Sequence, residues 1–427
     1  MPIDRRQLLK SAAASLFAAG LYSEQSHSAL AQDSFKPGAD DPDDIVFAEA
    51  RKRFLYPTDI AYGNTGTLGA CPREVMDAYL HGLEELEQEL PDWPYFQADG
   101  EPLTGYQQML SARNRIGEFV NADGQDIALM QNATMGMCCI ANGIDLEPGD
   151  EVITTDQEHS GGIGSWRLRA ARTGIVVKEL PLDSVLDKGP EAVIDMFQRA
   201  ITPKTKVLMV SQITSAFGIL LPAAELCSLA AEHGILSVID GAQAIGQIPV
   251  DLQQLGCDAY VASPHKWLLA PKGTGFLYLR RDVPQRIWGT LAGSHYDDWE
   301  SGAFRFMQFG TGSVPIVHGL MAAFDFIDSI GLPRIVRWDH MLNRRLRDGL
   351  ESMPKVRITS PADRRFAAAI TTFRVEGLSA RDLQNALWEK KIRVRAQNDR
   401  NGVRFCTHLY VAPGDIDRAL DVVSSVV

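Results

Sequence analysis

The feature that most narrows what this chain can fold into is a repeated alternation between about residues 105 and 280, where short apolar runs stand between stretches of helical length. Ile127-Ala128-Leu129-Met130 is one such run. Val152-Ile153-Thr154-Thr155 follows the turn Pro148-Gly149-Asp150, and Ile175-Val176-Val177 is β-branched throughout. Val207-Leu208-Met209-Val210-Ser211 leads to a helical stretch at 222–233, Gly234 stops it, and Leu236-Ser237-Val238-Ile239 follows. Near-continuous apolar runs suit strands covered on both faces. Strand, helix and strand at this spacing make a βαβ unit. The expectation is an α/β fold with a mostly parallel sheet and helices on both faces. After about residue 315 the pattern becomes α+β, with helical stretches at 319–329, 335–353, 380–390 and 415–423 and strands at 370–375, 392–395 and 403–406. The spacing predicts a large domain over 61–314 and a small C-terminal domain over 315–427, preceded by an N-terminal arm at 32–60.

The composition is that of a globular chain, 45% hydrophobic and 22% charged, and 427 residues suffice for such a pair of domains. The net charge is −12 and the basic residues form no stripe, which argues against nucleic acid as a partner. Residues 1–31 read differently. Arg5-Arg6 precedes a modest apolar run from Ala12 to Leu21, and Ala29-Leu30-Ala31 offers a small-residue cleavage site. This pattern predicts a twin-arginine signal peptide cut after Ala31, export by the twin-arginine translocon, and a periplasmic destination. The apolar run is too short to span a bilayer, so no stable membrane insertion is expected. The six cysteines are irregularly spaced, and neither a CxxC pair nor an HExxH motif occurs, so no metal site is expected.

In open parallel sheets, ligands lie beyond the carboxyl ends of the strands. Asp240 closes one strand-like run, in Asp240-Gly241-Ala242-Gln243. The next run, Ala259-Tyr260-Val261-Ala262, is followed by Ser263-Pro264-His265-Lys266-Trp267. An acid at one strand end and a lysine after the next is what pyridoxal 5'-phosphate (PLP) chemistry requires. The amine bonds to the cofactor aldehyde, and the carboxylate keeps the pyridine nitrogen protonated. Asn132-Ala133-Thr134-Met135-Gly136 opens a helix just after a strand, so its free N–H groups and the Thr134 hydroxyl form a candidate phosphate site.

These segments together resemble the class V aminotransferase family, which includes cysteine desulfurases, kynureninases and isopenicillin N epimerase-like enzymes. The resemblance covers almost all of the chain after about residue 55. It implies a PLP-dependent transferase fold of type I and a homodimer with shared active sites. It also implies roles for single residues. Lys266 would carry the cofactor, Asp240 would face the pyridine nitrogen, and His159 in Glu158-His159-Ser160 would lie on the ring face. Asn132, Ala133, Thr134, Ser263 and His265 would surround the phosphate. Ala242 would let the ring lie close to the backbone, and Gln243 would reach the 3'-oxygen. Thr311, in Gln308-Phe309-Gly310-Thr311-Gly312, would reach the phosphate of a neighbouring subunit. Arg404, with Arg395 as second candidate, would hold a substrate α-carboxylate by a two-point contact. Pro264 departs from the family, where a small residue often stands.

PLP enzymes transaminate, racemise, decarboxylate or eliminate, and the sequence leaves these open. A desulfurase needs a mobile cysteine, and no cysteine lies between Cys257 and Cys406. In length, leader type and motif set the chain is similar to a periplasmic branch that converts the glutamic acid side chain of a pyoverdine siderophore to succinamide. That conversion is the expectation. The alternatives are a periplasmic transaminase giving a keto acid, an epimerase or lyase on another amino-acid-containing metabolite, and a PLP-binding scaffold without catalysis.

Overall fold

The structure is a computed structural model that describes residues 35–92, 109–293, 296–398 and 401–427. The expected leader lies outside the described residues.

Ahead of the main sheet stands a two-residue strand, β1 (Ala61–Tyr62). The seven strands of the sheet follow in the chain: β2 (Ile127–Met130), β3 (Glu151–Thr155), β4 (Val176–Leu180), β5 (Thr205–Ser211), β6 (Leu236–Asp240), β7 (Ala259–Ala262) and β8 (Gly275–Leu279). Their spatial order is β2-β8-β7-β6-β5-β3-β4. Pairings from β4 through β7 are parallel, while β8 runs antiparallel to both of its neighbours. Every residue of β2, β3, β6, β7 and β8 is buried, as expected of strands covered on both faces. This is the PLP fold of type I, with its mostly parallel sheet. β8 is the strand that the alternation did not separate from the lysine motif ahead of it. β4 runs to Leu180, beyond the expected run, and its residues are partly or fully exposed because it is the sheet edge.

The crossovers are helical. Two helices precede them, α1 (Asp43–Arg51) and α2 (Arg73–Glu89), and α3 (Leu110–Val120) leads into β2. α4 (Ala133–Gly143) follows β2 and α5 (Ser160–Thr173) follows β3. α6 (Pro190–Ala200), α7 (Ala223–Glu232) and the single turn α8 (Leu252–Leu255) complete the large sheet's connections. β2, β3, β6 and β7 run in the same direction, so Met130, Thr155, Asp240 and Ala262 all end on one side, where the site forms.

The C-terminal part begins with α9 (Val314–Ile330), which has proline in its first turn and packs along α2. α10 (Leu332–Glu351) buries Ile335, Trp338, Leu342, Leu346 and Leu350, a stripe at helical spacing. It covers a four-stranded antiparallel sheet of order β12-β13-β10-β9, made from β9 (Val356–Ile358), β10 (Ile370–Val375), β12 (Arg395–Gln397) and β13 (Gly402–Cys406). α11 (Ala380–Glu389) and α12 (Pro413–Ser425) complete this layer. The expected single strand at 392–395 is two strands. β11 (Ile392–Arg393) pairs in parallel with β1, and β12 pairs with β13, so the chain changes sheets at the buried Val394. The N-terminal segment therefore docks on the C-terminal layer. Phe47 stacks on Trp338 at 4.4 Å, and Arg51 makes an ion pair with Asp415. Among the described residues no single helix is long and apolar enough to cross a membrane.

Candidate active site

One cavity of about 270 Å³ opens where the strand ends face the antiparallel sheet. Asn132, Ala133, Thr134, His159, Asp240, Ala242, Ser263, His265, Lys266, Arg395 and Arg404 all line it. So do Gly66, Thr67, Gly161, Ser215 and Gln397, which the sequence did not single out.

At one end, α4 points its N-terminus into the cavity. Asn132 caps it, its Oδ1 accepting from Met135 N at 2.9 Å, and Ala133 N donates to Ser263 Oγ at 3.0 Å. The helix end and the first turn after β7 are thus fixed to each other. The helix dipole and remaining N–H groups favour an anion here. His265 Nδ1 lies 3.0 Å from the Thr274 carbonyl oxygen and must donate to it. Burial lowers its pKa, with the Lys266 and Lys272 charges adding to that. Its Nε2 therefore carries a proton only as imidazolium, a form that a neighbouring phosphate dianion would favour.

In the centre, Asp240 is buried, and its Oδ1 accepts from Ala242 N at 2.9 Å. Among the described residues no cation lies within ion-pair distance of it. A buried carboxylate without a cation is costly unless a positive group joins it. Lys266 is half-buried and faces the cavity. Burial pulls its amine down to about 8, partly offset by the Asp240 charge. A share of it is then neutral and nucleophilic near neutral pH. His159 caps α5, its Nδ1 accepting from Gly161 N at 3.0 Å, so the neutral ring holds its proton on Nε2. Burial and then the Lys266 charge lower its pKa, which favours that neutral form. Beside it, Glu158 accepts from Thr155 Oγ1 at 2.6 Å and from Ser211 N and Oγ at 2.9 and 2.6 Å. Burial nevertheless pushes its carboxyl up to about 7.

At the other end, Arg404 and Arg395 face each other across β13 and β12. Arg404 is only 2% exposed. Its Nη1 donates to the Ser215 carbonyl at 2.7 Å and its Nη2 to Thr67 Oγ1 at 2.7 Å. Arg395 Nη1 donates to the same hydroxyl at 3.0 Å, while Thr67 Oγ1 donates to Asn64 Oδ1 at 2.8 Å. Among the described residues no carboxylate pairs with either arginine. Two guanidiniums sharing one hydroxyl, one of them buried, form a receptor for an anion.

Gln243 and Thr311 do not line this cavity, and Thr311 was expected to serve a neighbouring subunit's site rather than its own. The Gln243 side chain is used within the wall: its Nε2 donates to Gly66 O at 2.9 Å and its Oε1 accepts from Trp267 Nε1 at 2.7 Å. It braces the cavity wall. Thr311 is absent from this cavity and stands in the loop ahead of α9, where Phe309, Gly310 and Gly312 line a second, mostly apolar cavity of about 360 Å³. None of the six cysteines lines the first cavity, and Cys406 is buried within β13. Among the described residues no group of His, Cys, Asp and Glu side chains is placed to hold a metal ion.

The aminotransferase class-V family matches residues 99–412, most of the chain. The chain belongs to the class V aminotransferase family. Isopenicillin N epimerase of Amycolatopsis lactamdurans is 28% identical over 399 residues, covering 87% of this chain and 96% of that one. A cysteine desulfurase of Klebsiella pneumoniae is 30% identical over 277 residues, 61% of this chain and 66% of the relative. Among solved structures, the protein C-DES carrying glycine linked covalently to its PLP cofactor superposes with a TM-score of 0.79 at 26% identity, covering 88% of this chain and 98% of that chain. C-DES, a cystine C–S lyase, is also similar in its complex with cysteine persulfide, with a TM-score of 0.77, 26% identity, and coverage of 86% of this chain and 97% of that chain. This class V aminotransferase relative is thus a PLP-dependent enzyme of the desulfurase and epimerase type, which sets aside a non-catalytic scaffold.

The residues present fit the cofactor. The unpaired buried Asp240 would face the pyridinium nitrogen, Lys266 would bond the aldehyde carbon, and the α4 N-terminus with Ser263 and Thr134 would hold the phosphate.

Proposed function

We propose that this enzyme acts, after export to the periplasm, on the free α-amino-acid end of a glutamyl side chain carried by a pyoverdine siderophore, converting it to succinamide. The observation that carries the amino-acid part is Arg404, a buried cation facing the cavity without a carboxylate partner. A substrate α-carboxylate would supply that partner, with Arg395 beside it. The leader motif at Arg5-Arg6 supports the export. Written in full, the glutamyl end plus O₂ gives the primary amide, CO₂ and water. The amino nitrogen stays, the bond to the carboxyl carbon breaks, and molecular oxygen is the oxidant.

When bound, PLP supplies an electron-accepting ring conjugated to the substrate nitrogen. The chain's own residues do the rest. Asp240 keeps a proton on the ring nitrogen. The Lys266 amine, lowered to about 8, would act as base at the α-carbon. Neutral His159 can donate from Nε2. Arg404 and Arg395 fix the substrate's orientation and so select which bond stands perpendicular to the ring. We further propose a homodimer in which Thr311 reaches the cavity of the neighbouring subunit.

The second reading is transamination. An anchored carboxylate is an awkward leaving group, and Arg404 is firmly anchored by Ser215 and Thr67. Epimerase or lyase chemistry, as named for the isopenicillin N epimerase and C–S lyase relatives, is the third. Desulfuration is disfavoured, because no thiol lines the cavity. The deciding experiment gives the purified holoenzyme a siderophore precursor carrying ¹⁵N in the glutamyl amine, with and without O₂. Labelled amide formed only with O₂ is expected. Label on pyridoxamine phosphate with a keto acid left on the siderophore would establish the transaminase instead.

A further inference from the structure

Directly behind the lysine lies a buried polar chain that the proposed chemistry does not use. His408 follows β13 and Asp339 lies in α10, and both are fully buried. His408 Nδ1 is 2.9 Å from Asp339 Oδ2, and Nε2 is 2.9 Å from the Trp267 carbonyl oxygen. A carbonyl only accepts, so Nε2 must carry a proton. Nδ1 and the Asp339 carboxyl then share one further proton, as imidazolium with carboxylate or as imidazole with carboxylic acid. Both arrangements leave Nε2–H on Trp267. The ring cannot turn away, because it meets Trp267 edge-on at 5.1 Å and Tyr410 at 5.4 Å.

A buried acid–imidazole pair is destabilising relative to apolar side chains of the same size. What it holds is the peptide unit between Trp267 and Leu268, one residue past Lys266. The same turn is confined from other sides. Gly69 N donates to His265 O at 2.9 Å, and a Cβ on Gly69 would stand 1.9 Å from Lys266 O. A Cβ on Gly246 would stand 2.5 Å from the Trp267 carbonyl carbon. Leu269, with φ of 64°, sits in the left-handed region, which a non-glycine residue keeps only when its surroundings enforce it. The turn is therefore imposed by its contacts: Lys266 N donates to Ser263 O at 3.1 Å and Lys266 O accepts from Leu269 N at 3.3 Å, while His408 supplies a side-chain hydrogen bond from outside the turn, at the next residue.

We propose that His408, oriented by Asp339, is a positioning residue for Lys266: its Nε2–H on the Trp267 carbonyl sets the direction from which the amine enters the cavity. This rests on Lys266 being the cofactor-bearing residue. The test therefore begins with borohydride reduction of the holoenzyme and peptide mapping. Label away from Lys266 overturns that reading and this proposal with it. With label on Lys266, His408→Phe keeps a ring and removes the donor. Turnover is expected to fall by as much as about 100-fold, the scale on which a misplaced catalytic group is felt. KM should stay nearly constant, and the pH at which the visible absorbance of the bound cofactor titrates should shift. His408→Gln, whose amide N–H can reach the same oxygen, should recover most of the turnover and the original titration. His408→Asn, too short to reach, should not, and this pair decides the matter if His408→Phe does not fold. Variants that melt earlier yet keep wild-type turnover and absorbance titration would show that His408 only stabilises the fold, and the proposal would be wrong.

Discussion

The two ends of the cavity are built by different means. At the cofactor end, Asp240, Ser263 and the turn at Asn132 stand on adjacent or nearby strands of one sheet. Their separation follows from strand spacing, and the pairing of β6 with β7 brings Asp240 beside the start of the lysine turn. At the substrate end, Arg404 and Arg395 come from an antiparallel sheet, Ser215 from a loop after β5, and Thr67 from a segment near the start of the chain. That end exists only when three distant segments dock. The contrast suggests that the reaction type is held by the sheet, while substrate choice is held by the docking.

The sharpest way to break this contrast is at the cofactor end. Lys266→Ala should abolish turnover, by about 10⁴-fold or more, the scale of losing a covalent catalytic group. The folded variant should yield no borohydride-fixed cofactor. Fixation on Lys272 instead would move the centre of the site.

Asp240→Asn should lower turnover by about 10²- to 10³-fold, as for loss of a preorganised electrostatic partner, with a smaller effect on PLP affinity. Steady-state kinetics beside a PLP titration checks this. Near-normal turnover would mean that the ring needs no charged partner.

At the substrate end the effects should be smaller and should appear in KM. Arg404→Lys removes the fork geometry and should cost about 10- to 100-fold in kcat/KM, while Arg395→Lys should cost less because Arg395 is exposed. Equal losses would make the two arginines a single receptor. A larger loss at Arg395 would reverse their assigned ranks.

The smallest effect concerns stability without cofactor. The Lys266 amine falls from its ordinary value to about 8 on folding. Between that value and the ordinary lysine pKa, the unfolded chain binds more protons, so the apoprotein gains stability as pH rises through this window. Below pH 8 both states are protonated and the full cost remains, at most about 3 kcal/mol. Lys266→Met apoprotein should therefore melt above wild type at pH 7, with the gap closing towards pH 10. A gap independent of pH would mean that the amine is not strained by burial.

Legibility in the sequence followed the same division. Strands β2, β5, β6 and β7 announced themselves as apolar runs, and the residues at their ends were readable as chemistry because topology leaves them nowhere else to go. Arg404 and Arg395 were findable through resemblance alone, since an arginine on a strand has no local signature. Thr67, Ser215 and Gln397 carried no signal, because their roles come from contacts made across the whole chain. The wall contacts of Gln243 were hidden for the same reason: what its amide meets depends on Gly66 and Trp267, which only the folded chain brings together. β8 was hidden because it follows the lysine motif without a helix between, and the alternation that reveals parallel strands passes over an antiparallel one.

The pairing of β1 with β11 has a consequence for how the enzyme comes into being. A nascent chain leaving the ribosome makes the sheet and its lysine first, whereas the wall that carries Gly66 and Thr67 waits for β11, and Arg404 arrives later still. Before that moment the half-built cavity is open and indifferent to what enters it. Its power to choose a guest is therefore acquired late, and truncation between β10 and β11, which removes Arg395 and Arg404 together, should leave a protein that recognises no substrate.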